Sequence, residues 1–189
     1  MLGGGYGISI PVALKTFRNN YKDDGERERL CDMSKTEFEN EKKFFKQLIA
    51  KPKEYHEHIV KCFGMARIDN KEYIVTEDLT KQNFISIKQL KEKSEIFNIN
   101  KKQLKKINTQ FKQLGNHLEK YKIRHGDIHD GNLMINLEQC IIKMIDFGGG
   151  KVDYDMRPRL DLETLIFFNK KFNETFNVDK SSVGCCTIV

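Results

Sequence analysis

No apolar run in the 189-residue chain approaches the ~18 residues that a membrane-spanning helix requires, so none is expected. The stretch Met1 to Phe17 has no basic cluster ahead of an apolar segment, and it predicts no secretory signal. Cysteine is sparse and irregular: Cys31, Cys62, Cys140, Cys185 and Cys186 form an odd set without framework spacing. That pattern excludes a disulfide scaffold and predicts a reducing, cytoplasmic setting. His56, His58 and Cys62 lie close together but lack a second cluster at ligand spacing, so they read as loop and strand residues rather than a zinc site. Internal repeats and low-complexity segments are also missing.

What is present describes a globular protein. Hydrophobic residues make up 39% and charged residues 32% of the chain, and its length fits one domain with a real core. The net charge of +6 is spread along the chain, with a local concentration near Lys101–Lys106, where lysines at helical spacing flank apolar positions. Nucleic-acid binding calls for basic residues interleaved with aromatics on one face. This segment reads instead as a solvated helix face, or as a docking surface for a protein, and no nucleic-acid partner is expected.

Residues 2–7 are a glycine-rich turn containing Gly3, Gly5 and Gly7, and a short apolar run follows, ending in Val12-Ala13-Leu14-Lys15. The expected element is a hairpin whose second strand presents Lys15. A capping-box pattern at Ser34 and Glu37 predicts a helix start there, with Phe38, Glu41, Phe45 and Leu48 on one face and Lys51-Pro52 closing it. Strands are expected at Ile59–Met65 and Tyr73–Glu77, joined by a turn at Asp69-Asn70. Loop and a short helix are expected over Lys88–Asn100. Lys101 to Tyr121 is strongly helical, with an apolar stripe of Leu104, Ile107, Phe111, Leu114 and Leu118. Two short strands, Leu133–Asn136 and Ile141–Ile145, then flank a turn at Glu138, and a last helix covers Leu160–Phe172 before a polar tail.

Chemistry concentrates in His125-Gly126-Asp127-Ile128-His129-Asp130-Gly131-Asn132 and, after a hairpin, in Asp146-Phe147-Gly148. A carboxylate follows a long helix, an amide stands shortly beyond it, and a second carboxylate follows. Phosphoryl transfer needs these parts: a carboxylate to orient a hydroxyl and take its proton, and hard oxygen ligands to hold Mg2+ against phosphates. Gly148-Gly149-Gly150 reads either as flexible backbone at a metal-binding loop or as a turn needing positive φ.

At these residues the chain resembles the protein kinase superfamily over nearly its whole length. The resemblance implies an α+β, bilobal fold with a small β-rich N-lobe (residues 1–78) and a truncated, mainly helical C-lobe (79–180), followed by a tail at 181–189. It implies ATP and Mg2+ as cofactors, Asp127 as catalytic base, Asn132 and Asp146 as metal ligands, and Lys15 as the lysine that holds phosphates. Glu41 is the expected partner of Lys15, with Glu37 and Glu39 as alternatives. Gly3, Gly5 and Gly7 correspond to the family's glycine loop, one residue short. Glu77 and Leu79, in Glu77-Asp78-Leu79, correspond to the hinge that receives adenine.

The departures also carry implications. Gly126 stands where the family has the arginine that reads a phosphorylated activation loop, which implies activity not switched in that way. Asp161, in Arg159-Leu160-Asp161-Leu162-Glu163-Thr164-Leu165, is similar to a helix motif of the casein-kinase and vaccinia-related-kinase families. It follows Asp146 too closely to admit the usual peptide-holding segment. The build resembles compact kinases of bacterial effectors and large DNA viruses, which implies a protein substrate, delivery into a host cell and an activator protein that completes the short C-lobe. His-Gly-Asp-x-His-x-Gly-Asn also resembles aminoglycoside and choline phosphotransferases, which implies a small-molecule acceptor. A kinase-shaped binding module without catalysis is a third reading. The terminal Cys186-Thr187-Ile188-Val189 frame, with Cys185 beside it, corresponds to a lipidation motif and to membrane association through Cys186.

Overall fold

Asp69 and Asn70 both adopt positive φ, 47° and 62°, and so turn the chain sharply between two antiparallel strands. In the computed structural model, which describes residues 11–17, 25–52, 57–152 and 159–176, these strands are β2 (Cys62–Ile68) and β3 (Lys71–Glu77). Strand β1 (Val12–Lys15) pairs antiparallel with β3, from Val12 opposite Glu77 to Lys15 opposite Ile74, giving the order β1-β3-β2. A register shift between Cys62 and Gly64 bends β2, and Gly64 takes the φ of 135° there that a side chain would strain.

Helix α1 (Gly25–Ile49) packs on this sheet through Phe38, Glu41, Phe45 and Leu48, all buried. It begins well before the expected start at Ser34. Glu, Arg, Leu and Met upstream favour helix, and that propensity overrides the local capping pattern. Strand β2 is displaced toward the C-terminus from the expected Ile59–Met65. Ile59 instead forms a lone parallel bridge with Met144, and Val60 N–H donates to the Met144 carbonyl at 2.9 Å. This crossing joins the upper sheet to the lower one.

The lower sheet has the order β4-β5-β6: β4 (Ile85–Ser86), β5 (Leu133–Asn136) and β6 (Ile141–Met144). The two-residue strand β4 was not expected; it is too short to leave an alternation pattern. Ser86 caps α2 (Ile87–Glu92) through a reciprocal capping box with Gln89. Asn100 and Gln103 do the same for α3 (Lys101–Lys120), whose stripe Leu104, Ile107, Phe111, Leu114 and Leu118 is buried as expected. Helix α4 (Arg159–Phe176) crosses α3 so closely that a Cβ on Gly115 would lie 2.8 Å from Leu162 Cδ1. Phe111 and Phe172 meet at the same crossing, with ring centroids 5.9 Å apart. The fold is thus α+β, a small sheet with one helix above a mainly helical lower part. The hairpin partner of β1, Gly3, Gly5, Gly7, Cys185 and Cys186 lie outside the described residues.

Candidate active site

Alternation along β1 places Lys15 on the face beneath α1. The 3-and-4 spacing along α1 puts Glu41 on that helix's apolar face, where it is buried. The two meet with Lys15 Nζ 2.5 Å from Glu41 Oε2. Lys15 also reaches Asp146 Oδ1 at 2.7 Å. Burial works against the Lys15 charge, but Glu41 and Asp146 outweigh it and raise its pKa above the usual lysine value. Burial also lifts the Glu41 carboxyl above its usual range, and Lys15 draws it back. The raised lysine is the direction that governs the pair, which stays ionic at neutral pH. Of the alternatives, Glu39 is taken by Lys42 at 2.8 Å, and Glu37 lies exposed against Gly148.

Asp146 has φ 63°, a left-handed conformation uncommon for a non-glycine residue. Its neighbours hold it there. Phe147 N–H donates to Glu41 Oε1 at 3.1 Å, and Ile145 N–H donates to the Asn132 carbonyl at 3.0 Å. The Phe147 ring is fully buried, stacked on Phe44 at 4.3 Å and touching His125 at 4.5 Å.

The loop from α3 to β5 carries Asp127 and Asn132. Asn132 Nδ2 donates to the Asp127 carbonyl at 3.0 Å and approaches its carboxylate at 3.4 Å. With Nδ2 so engaged, Asn132 Oδ1 is left as an acceptor for a hard cation beside Asp146. Carboxylate and amide oxygens fit Mg2+, which takes its remaining ligands from water and phosphate. Among the described residues no cluster of three His, Cys, Asp or Glu side chains could hold a metal on its own.

Two residues not singled out as site candidates hold this loop. Asp161, buried at the start of α4, accepts the backbone N–H of His125 at 2.6 Å and that of Gly126 at 3.3 Å. His125 Nε2 lies 2.8 Å from the Ile145 carbonyl, while its Nδ1 accepts the Asp127 N–H at 3.3 Å. These partners fix the neutral tautomer with the proton on Nε2. Burial lowers the His125 pKa in the same sense. Lys143, on β6, ion-pairs with Glu77. A buried charge in an apolar frame is the signal that marks Asp161 and Glu77.

Gly126 has φ 82°, and a Cβ there would lie 2.9 Å from the Gly149 carbonyl oxygen. The position thus excludes arginine by backbone contact. The reading of Gly148-Gly149-Gly150 as a turn that needs positive φ does not hold, because none of the three has it. Each is closely packed instead: Gly148 on Glu37, Gly149 on the His125 carbonyl, and Gly150 on Phe147 and Phe44. Arg124 and Lys151 exchange backbone hydrogen bonds of 2.9 and 2.8 Å just beyond, which pins the segment to the loop.

At the end of β3, the Glu77 carboxylate accepts from the Lys61 N–H at 2.8 Å and from Gln82 Nε2 at 3.1 Å. Burial pushes its pKa up, but Lys143 and these donors prevail and hold it below the usual carboxylate range. Its side chain is therefore turned inward. The Leu79 carbonyl accepts from Gln82 and Phe84 at 3.1 and 3.0 Å, which leaves the Leu79 N–H as its available group.

The arrangement joins a lysine to two carboxylates, sets a third carboxylate beside an amide, and gives a backbone edge at the end of β3. Residues 8–157 match the protein kinase domain family model. No curated protein matches the chain. With most of its length covered by that match, this chain belongs to the protein kinase domain family and is a kinase-like phosphotransferase.

Proposed function

We propose that the chain is an ATP- and Mg2+-dependent enzyme, a minimal serine/threonine protein kinase. The observation that carries this reading is the bridge from Lys15 to Glu41 and Asp146, with Asn132 bonded to Asp127 and its carbonyl accepting the N–H of Ile145, the residue before Asp146. Lys15 would hold nucleotide phosphates, Asn132 and Asp146 the metal, and Asp127 the acceptor hydroxyl. Mg2+ bound there supplies positive charge to the phosphate oxygens. The N-lobe would span residues 1–78 and the C-lobe 79–180, with adenine on the Glu77–Leu79 edge and Gly3, Gly5 and Gly7 over the phosphates.

Transfer of γ-label from ATP to lysate proteins tests it, with Asp127→Ala and Asp146→Asn as controls. Label on serine or threonine that both variants abolish supports the reading. A folded wild type that labels no protein, itself included, sinks it.

A small-molecule acceptor is the second reading. Asp161 grips the catalytic loop directly, and only a short segment separates Asp146 from α4. Turnover of amino-alcohol, sugar or inositol acceptors without protein labelling would select it.

Two partners belong to the proposal. An activator protein would cover Ile166 and Phe167, which are 62% and 54% exposed on α4. Ile166→Asp with Phe167→Asp should then abolish stimulation by lysate and spare basal activity; unchanged stimulation removes the partner. A lipid on Cys186 would place the protein on membranes, and equal membrane partitioning of Cys186→Ser would dismiss that.

A further inference from the structure

Helix α3 carries six lysines, Lys101, Lys102, Lys105, Lys106, Lys112 and Lys120, and all are exposed. At 3.6 residues per turn, Lys102, Lys105, Lys106 and Lys112 fall within an arc of about 120°. That arc lies directly opposite the buried stripe that runs from Leu104 to Leu118. Thr109, Gln113 and Asn116 share it and are exposed and neutral. The one carboxylate of the helix, Glu119, stands in its last turn. Among the described residues none of these four lysines has a carboxylate partner.

This charge does not serve the helix. Lys101 and Lys105, and likewise Lys102 and Lys106, are like-charge pairs one turn apart, which weaken a helix. Lys101 and Lys102 also stand in the first turn, at the positive end of the helix dipole, and no acidic residue offsets them there. A face that needed only solvation would carry both signs, as Lys171 and Glu174 do on α4 at 3.0 Å. A row of one sign, unpaired and set against the helix's own electrostatics, is placed to meet an extended anionic surface.

We propose that the outer face of α3 docks on the anionic leaflet of a membrane. Every cation in the row is a lysine, a compact charge suited to diffuse attraction, with no arginine fork to grip a single phosphate or carboxylate. No aromatic residue interrupts the row, so it offers nothing on which a nucleic-acid base could stack. Because the apolar stripe faces the core, the helix rests on headgroups without entering the bilayer. Each lysine near such a surface strengthens partitioning roughly fivefold, and salt screens the effect.

The same face borders the tail that would carry a lipid. Asn173, in the last turn of α4, exchanges side-chain hydrogen bonds of 2.9 Å with Asn108, which flanks the lysine arc. Cys186 is ten residues on from Phe176, a reach of at most about 35 Å. One lipid chain binds marginally and gains a stable hold beside a polybasic patch, so the two can act on one leaflet. The docking itself needs neither the lipid nor the phosphotransferase reading.

The full chain, without a lipid, is sedimented with phosphatidylcholine vesicles that contain or lack phosphatidylserine, at low and at physiological salt. The expected result is binding to the phosphatidylserine vesicles alone, weakening as salt rises. Lys102→Gln, Lys105→Gln, Lys106→Gln and Lys112→Gln together should bring binding down to the phosphatidylcholine level. Relief of lysine repulsion should keep the melting temperature of that variant at or above wild type, so lost binding is not lost fold. Arginine at the same four positions should retain binding. Lys43→Gln, Lys46→Gln, Lys71→Gln and Lys81→Gln together make the same change in net charge at exposed positions elsewhere, and should also retain it. Equal binding by the α3 glutamine variant and the wild type overturns the inference. So does an equal loss in both glutamine variants, which would report net charge alone. A wild type that ignores both kinds of vesicle overturns it as well. Capture of polyglutamate or polyuridine by these lysines in that case would assign the face to an acidic protein or a nucleic acid instead.

Discussion

Asp161 accepts the backbone N–H of His125 at 2.6 Å from the first turn of α4. A carboxylate taken out of water is tolerated only where donors meet it, and here the donors are the loop that carries Asp127.

Asp161→Ala leaves the His125 and Gly126 N–H groups without that acceptor. An orphaned buried donor costs about 1–3 kcal/mol. We expect a lowered melting temperature together with a collapse of kcat, whereas Asp161→Asn should retain more of both. A melting curve for Asp161→Ala that overlays the wild type would refute the role.

Lys15 and Glu41 are asymmetric partners, because the lysine is 43% exposed and the glutamate 3%. Lys15→Met strands a buried carboxylate, and Glu41→Gln frees a lysine that still has Asp146. Chemical denaturation should show Lys15→Met as the more destabilising single change, with Glu41→Gln added to it restoring part of the loss. Additive losses would rule out coupling.

Burial lowers the pKa of both His58 and His125 below 6.5, with backbone acceptors opposing. A depressed folded-state pKa gives stability that is complete above the unfolded value and is lost as pH falls toward the folded one. Thermal stability should therefore decline from about pH 6.5 downward. Glu77, also depressed, adds a further loss below its ordinary value of 4.5. A melting temperature flat between pH 7 and 5.5 would contradict the histidine contribution.

Gly126→Arg, which restores the residue common in the family, should inactivate rather than confer control by phosphorylation. A side chain there strains a φ of 82° and meets the Gly149 carbonyl. Phosphate transfer by Gly126→Arg at wild-type rate would show that the crossing yields.

Much of this was legible beforehand. Stripes at helical spacing marked α3, and Asp69-Asn70 marked its turn, because these signals are local. Glu41 could be favoured over Glu37 and Glu39 since it shared a face with Phe38, Phe45 and Leu48. The start of α1 was misread because propensity and a capping pattern competed within one segment. The crossing of Gly126 and Gly149 and the grip of Asp161 were not legible. Each depends on two stretches meeting in space, and sequence spacing alone does not report that.

The stack of Phe147 on Phe44, with Gly150 wedged between the Phe44 ring and the Cβ and carbonyl of Phe147, bears on inhibitor choice. A compound that gains affinity by ejecting Phe147 would have to open an aromatic contact inside a close-packed wall, at a cost of about 3–5 kcal/mol for the ring's lost burial. Compounds that leave that wall intact carry no such penalty, so a screening library should be weighted toward them.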